Sequence, residues 1–236
     1  MTSFRFFLFS LGFFLGFCSP LFARILFVDG SISADCSNYD YLTRTCGSGT
    51  YQSYKNISGA ANIAVTGDTV VLRAGTYNEQ LAPKNSGTVA APIIYSSPKG
   101  ESVIISGSSL APAIFIYQLS YIIIQGIIIS DVQRWMAVLG SHHIVIRSNT
   151  FVNANDGGGS SKTGLFFQGS DYNIVQNNLI DNSTQDNLAL VQSDHNLVEG
   201  NRFTRAAHTL WTIKCGSYNV LRNNYFNNQY QKIGEI

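Results

Sequence analysis

Short β-branched and aromatic runs alternate with polar bends along most of this chain, and from residue 120 onward the pattern is periodic. Four segments align: His143–Asn153 (HIVIRSNTFVN), Tyr172–Asn182 (YNIVQNNLIDN), His195–Arg205 (HNLVEGNRFTR) and Tyr218–Asn228 (YNVLRNNYFNN). With Asn149, Asn178, Asn201 and Asn224 taken as equivalent, the intervals are 29, 23 and 23 residues. The long interval carries a Gly/Ser-rich insertion after Asn155, which a loop absorbs at small entropic cost. A more apolar relative, Tyr121–Asp131, precedes them and places Ile127 22 residues before Asn149.

Two columns are apolar in every copy. Ile146, Val175, Val198 and Leu221 stand three residues before the anchor, and Phe151, Ile180, Phe203 and Phe226 stand two after it. Alternation of Leu165/Phe167, Leu188/Leu190 and Trp211/Ile213 marks a further strand with one buried face. Three short strands in a 22–23-residue period predict one coil of a right-handed parallel β-helix, with like residues stacking at about 4.8 Å. Leucine-rich repeats share the length, but their leucine consensus is missing. Asn at the anchor, and at Asn173, Asn196 and Asn219, belongs at tight bends, where it tolerates left-handed backbone and bonds neighbouring coils. Residues 67–81 and 91–107 each read as strand, turn, strand. Residues 102–130 carry no Asp, Glu, Lys or Arg, as buried parallel strands require. A short helix is expected within 51–66, closing the first coil against an open edge. The chain stops early in a coil, so it is expected to be part of a longer protein.

Composition agrees with an all-β fold. Asn and Gly number 20 and 21, charged residues are 12% and hydrophobic residues 45%, which excludes disorder and a helical bundle. A net charge of +1 excludes electrostatic capture of nucleic acid by the whole surface. Residues 1–23 have Arg5, an apolar run from Phe6 to Phe17 and a small Ala23, the layout of a secretory signal peptide too short to span a membrane. The expected division is therefore 1–23 signal peptide, 24–66 N-terminal segment and cap, and 67–236 β-helix. A secreted or extracytoplasmic location permits disulfides: Cys36 and Cys46 are the expected pair, and Cys215 is expected to be a buried small residue.

The stretches GDTVVLRAGTYNEQL and PIIYSSPKGESVIISG, with the Asn-x-x-Arg/Glu-Asn/Gly-Asn-x-Phe repeats, resemble the pectin-lyase-like superfamily over residues 55–236. Within it, residues 195–226 are similar to alginate-lyase and chondroitinase-B-like polysaccharide lyases. That resemblance places Lys214 on the family's Brønsted base. The family's calcium ligands fall on Ala207 and Thr209, so calcium, the one cofactor the likeness suggests, is not carried over. The family's acid Arg falls about one coil further on, where the chain ends with Glu235 and Ile236.

The implied reaction is β-elimination from an acidic extracellular polysaccharide. A base removes the C5 proton of a uronate whose carboxylate has been neutralised. Alternation points Lys214 outward in a column with Val191 and Gln168, and Arg205 and His208 are the expected substrate-binding cations. The plain alternative for Lys214 is a solvated surface residue, and for the protein a non-catalytic β-helix that binds glycans or surfaces. A glycoside hydrolase would need two facing carboxylates, for which Asp171 and Asp194 are the candidates; the same two, one coil apart, could share a cation, but Asp after Ser is more commonly a turn former without metal. The column Arg147, Gln176, Glu199, Arg222 reads as structural ladder pairs. His142 and His143, being adjacent, are expected on opposite faces and unable to share a metal. Which glycan is bound and the oligomeric state are open at this stage.

Overall fold

The computed structural model describes residues 23–156, 164–229 and 232–236; the signal-peptide reading lies almost wholly outside them. The chain winds as a parallel β-helix. Each coil gives one strand to each of three sheets, which hold 11, 7 and 6 strands among the described residues. In the coil that starts at the third sheet, Leu188–Val191 is followed by Leu197–Glu199 in the first sheet and Arg202–Ala206 in the second. Register runs unbroken down the stack: Ile124, Ile146, Val175, Val198 and Leu221 pair in the first sheet. Ile129, Phe151, Ile180, Phe203 and Phe226 pair in the second. Both columns line one continuous interior core, as the apolar spacing predicts.

The bends explain the polar columns. Each complete repeat carries four left-handed residues, for example Gln192, His195, Gly200 and Arg205. The Asn anchor comes just after the bend between the first and second sheets; the left-handed residue is the one before it (Ser148, Asn177, Gly200, Asn223). The buried anchors serve instead as hydrogen-bond relays. Asn178 Oδ1 accepts from the backbone N–H and the Nδ2 of Asn149 at 2.9 and 3.3 Å, while Asn178 Nδ2 donates to Asn201 Oδ1 and Ile146 O, both at 2.9 Å. The link repeats from Asn201 to Asn224, and Asn173, Asn196 and Asn219 form a parallel ladder. Left-handed backbone costs a non-glycine residue about 1–2 kcal/mol. Ladder bonds of about 1 kcal/mol each, made where water is absent, offset that cost.

The N-terminal end is more elaborate than its sequence suggests. Ile25–Val28 joins the first sheet beside Thr69–Leu72, and Tyr51–Tyr54 pairs beyond it. Cys36–Asp40 and Thr45–Cys46 then pair antiparallel on the edge, joined by the Cys36–Cys46 disulfide. The helix is Ile57–Ile63, shorter than the window read from sequence; its Ile57, Ala60 and Ala61 join the main core.

Cys215 is exposed rather than buried. It sits at the left-handed corner that ends the third-sheet strand, φ 54°, in sequence with Gln118, Gly140, Gly169 and Gln192. A corner residue points away from the core whatever its polarity.

Candidate functional site

The outer surface of the second sheet changes character along the stack. Its outward column runs Ile128, Thr150, Leu179, Arg202, Tyr225, from apolar to charged and aromatic. At the lower end the Arg202 guanidinium lies 4.3 Å from the centroid of the half-exposed Tyr225 ring. Beside it Arg205 clamps Asp181: Nε donates to Oδ1 at 2.8 Å, Nη2 pairs with Oδ2, and Thr204 Oγ1 donates to Oδ1 at 2.7 Å. Burial alone would raise the Asp181 carboxyl, but the bonds from Arg205 and Thr204 hold it below the ordinary carboxylate range.

Arg205 also closes a polar rail. Asp131, Asn153, Asn182 and Arg205 occupy successive left-handed positions one residue before the ends of the second-sheet strands, where the chain turns toward the third sheet. Asn153 Nδ2 donates to Asp131 Oδ1 at 3.0 Å and Asn182 Nδ2 to Asn153 Oδ1 at 2.8 Å. A shallow concavity lies along the rail, lined also by Ser108 and Thr184; a second concavity holds Asp181, Arg202 and Arg205. Amides, hydroxyls, guanidinium groups and an exposed aromatic ring along one axis are the donors, acceptors and stacking surface a polar chain needs.

Around the same corner, His208 Nδ1 lies 2.6 Å from Oδ1 of the buried Asp186. Asp186 accepts from Thr209 Oγ1 and Thr212 Oγ1 as well, both at 2.9 Å. This pins the ring and turns Nε2 outward, 3.7 Å from Glu235. Sequence reading picked out His208 and missed Asp186, which has no counterpart in the other copies. Lys214 is exposed at the end of its strand, in register with Val191 and Gln168. It lies six residue steps along the chain from His208, about 20 Å at 3.3 Å per residue. The structure thus gathers Arg205 and His208 at one corner and sets Lys214 at the next.

Asp171 and Asp194 serve the bends: Asp171 Oδ1 accepts the Asp194 N–H at 2.7 Å, and Asp194 Oδ1 the Ser217 N–H at 2.6 Å. One other expectation changes. His142 and His143 do not diverge: their Nδ1 atoms are 2.9 Å apart. His143 has φ 56°, and a left-handed residue breaks the side-to-side alternation of a strand. The Arg147–Gln176–Glu199–Arg222 column stacks in register, with Arg222 Nε donating to Glu199 at 2.8 Å, while Arg147 Nε donates to Gln125 of the preceding coil at 2.8 Å.

Fold and surface together define a right-handed parallel β-helix of the pectin-lyase-like kind, with a polar groove on one corner. The chain belongs to the family described as periplasmic copper-binding protein (NosD), whose model matches residues 55–234. An uncharacterized protein, YwoF, of Bacillus subtilis (strain 168) is 34% identical over 111 residues, 41% of this chain; the match spans 24% of that protein's length. Among solved structures, an alginate lyase from Paenibacillus sp. str. FPU-7 matches at TM-score 0.58 and 18% identity, over 71% of this chain and 72% of the lyase. Pectate lyase Pel9A (TM-score 0.63, 14% identity, 89% and 55% covered) and a rhamnogalacturonan lyase (0.63, 13%, 90% and 62%) match likewise. At these identities the likeness establishes the fold alone. No helix among the described residues is long and apolar enough to cross a membrane. The family's description raises a metal, and this chain's own donors decide the fit. Among the described residues no three His, Cys, Asp or Glu side chains converge, and the Nδ1 atoms of His142 and His143 lie at hydrogen-bond distance from each other, 2.9 Å.

Proposed function

We propose that this protein is exported and binds an acidic polysaccharide laid along the corner between the second and third sheets. The observation that carries the reading is Arg202 against the half-exposed Tyr225 ring, with Arg205 on the same strand paired to Asp181, at the foot of an amide-lined groove. Guanidinium forks suit uronate carboxylates, and an aromatic ring suits the apolar face of a sugar. The three structural neighbours, each named a polysaccharide lyase, make this substrate class the natural one to try. Calorimetry against polygalacturonate, alginate and chondroitin sulfate tests it. The doubly substituted R202A/R205A chain is expected to bind at least about tenfold more weakly, about 1.4 kcal/mol. Equal binding by the variant, or equal binding of a neutral glucan, overturns the reading.

Cleavage by β-elimination with Lys214 as base is the second reading, favoured by its exposure on an outward column. A sugar attacked by Lys214 would lie at that residue's own corner, beyond the reach of Arg205 and His208. Appearance of ultraviolet-absorbing unsaturated uronate, lost in Lys214→Ala, supports it; product formed at the same rate by the variant removes Lys214 from the chemistry. Export rests on the Arg5-to-Ala23 layout, and N-terminal sequencing of the native protein is expected to begin at Arg24.

A further inference from the structure

Asp186 is a carboxylate closed in behind the groove's corner, 7% exposed, in a network added to the coil's own bonds. The backbone there is already tied: Ala207 N–H donates to Ser183 O and Asn187 N–H to Thr209 O, both at 3.0 Å. On top of those ties, Thr209 Oγ1 donates to Asp186 Oδ1 and Thr212 Oγ1 to Asp186 Oδ2, both at 2.9 Å, and His208 Nδ1 lies 2.6 Å from Oδ1. Resting on the polyuronate reading above, we propose that His208 is the general base of a β-elimination site at this corner and that Asp186 is its positioning residue.

The carboxylate decides the tautomer. Ionised, it only accepts, so the short contact keeps the proton of a neutral imidazole on Nδ1 and leaves the lone pair on Nε2. The half-exposed ring turns Nε2 outward, and the Glu235 carboxylate stands 3.7 Å from it, outside hydrogen-bond distance. Two threonine hydroxyls and the Thr209 N–H, 3.3 Å from Oδ1, hold the Asp186 carboxylate in turn. A base oriented by a group that is itself held is the arrangement proton abstraction requires.

Position supplies the rest. His208 N–H donates to Gln185 O at 3.4 Å, so His208 stands one coil beyond Gln185, the neighbour of Thr184 in the groove lining. Arg205 is three residues before it, no more than about 11 Å along the chain. In a uronate the carboxylate is bonded to the carbon that loses the proton, so elimination needs a cation and a base around one sugar ring. Arg205 and His208 are that pair. His208 Nε2 takes the C5 proton, the C5–H electron pair becomes the C4=C5 double bond, and the C4–O bond breaks with its pair leaving on oxygen. The leaving oxygen takes a proton from water, and the imidazolium returns its own to the hydroxide left behind. Asp186 stabilises the imidazolium in between.

The test uses the full chain with polygalacturonate and alginate, following unsaturated uronate by ultraviolet absorbance and binding by calorimetry. The wild-type chain is expected to release product. His208→Ala is expected to lower kcat at least about a hundredfold with affinity for the polymer kept, and added imidazole to restore part of the rate. Asp186→Asn is expected to lower kcat at least about tenfold with KM kept, a split that a purely structural role would not give. His195→Gln, on the corner between the third and first sheets, is expected to leave both unchanged, with circular dichroism verifying the fold of each variant. Full kcat in the folded His208→Ala chain overturns the assignment and leaves Lys214 as the candidate base; a rate that imidazole does not raise overturns it as well. Polymer bound without product overturns the assignment while leaving the binding reading standing, and absence of binding removes both.

Discussion

A buried asparagine is the residue on which this fold turns. The Asn178 side chain meets two donors and two acceptors across three coils, so its loss strands groups that water cannot reach. Asn178→Ala is expected to destabilise by about 2–4 kcal/mol, measured by urea unfolding. Asn224→Ala, at a half-buried position, is expected to cost less than half of that. The Asn columns were legible because the repeat exposes them. Their neighbours' left-handed backbone was not, since Ser148, Asn177, Gly200 and Asn223 share a conformation but not a chemistry. For the same reason the nearness of His142 and His143 was hidden: alternation is the rule for strands, and nothing in the letter His announces φ 56°. Asp186 escaped notice because its partners His208, Thr209 and Thr212 lie one coil later and outside the repeat consensus.

Elements of the coil were read correctly where periodicity spoke, and the N-terminal strands were missed where it fell silent. Ile25–Val28 is a single apolar run without a copy to compare, and the hairpin beyond it is polar on its surface. What fixes that hairpin is electrostatic. Asp29, fully buried, accepts from Arg44 Nε at 2.9 Å and Nη2 at 2.6 Å and from Tyr39 Oη at 2.6 Å. Burial would raise this carboxyl; the bonds from Arg44, Tyr39 and Ser31 outweigh it and hold it well below the ordinary range. A depressed folded value means its stabilisation is complete above about pH 4 and is lost as pH falls further. Thermal melts between neutral and strongly acidic pH are expected to show this loss. Arg44→Ala, which leaves the carboxylate buried without its partner, is expected to cost about 3–5 kcal/mol and to flatten the acid dependence. Hydrogen exchange should find residues 36–54 opening first in that variant, and likewise after reduction of Cys36–Cys46.

For the whole molecule, stacking makes position along the axis matter more than position in sequence. Phe203 is closed in by coils on both sides, whereas Phe226 is only partly buried against its neighbour. Phe203→Ala is expected to cost about 3–5 kcal/mol and Phe226→Ala clearly less, by the same urea measurement. The periodic part of the fold was legible, because a near-constant spacing, broken by one insertion, recurs from coil to coil. The surfaces were legible only as columns: alternation put Lys214 on the outer face, where it is exposed, yet which of Arg205, His208 and Lys214 share a corner depends on where the chain bends.

The ladders also have a direction. Each anchor's Oδ1 receives donors from the preceding coil, and the first in the series, Asn149, takes the plain backbone N–H of Ile127. A newly arriving turn therefore satisfies the one already in place and asks of it no special side chain. A polypeptide delivered from its amino end, by a ribosome or through a translocation pore, can consolidate as it emerges, each fresh winding finishing the last.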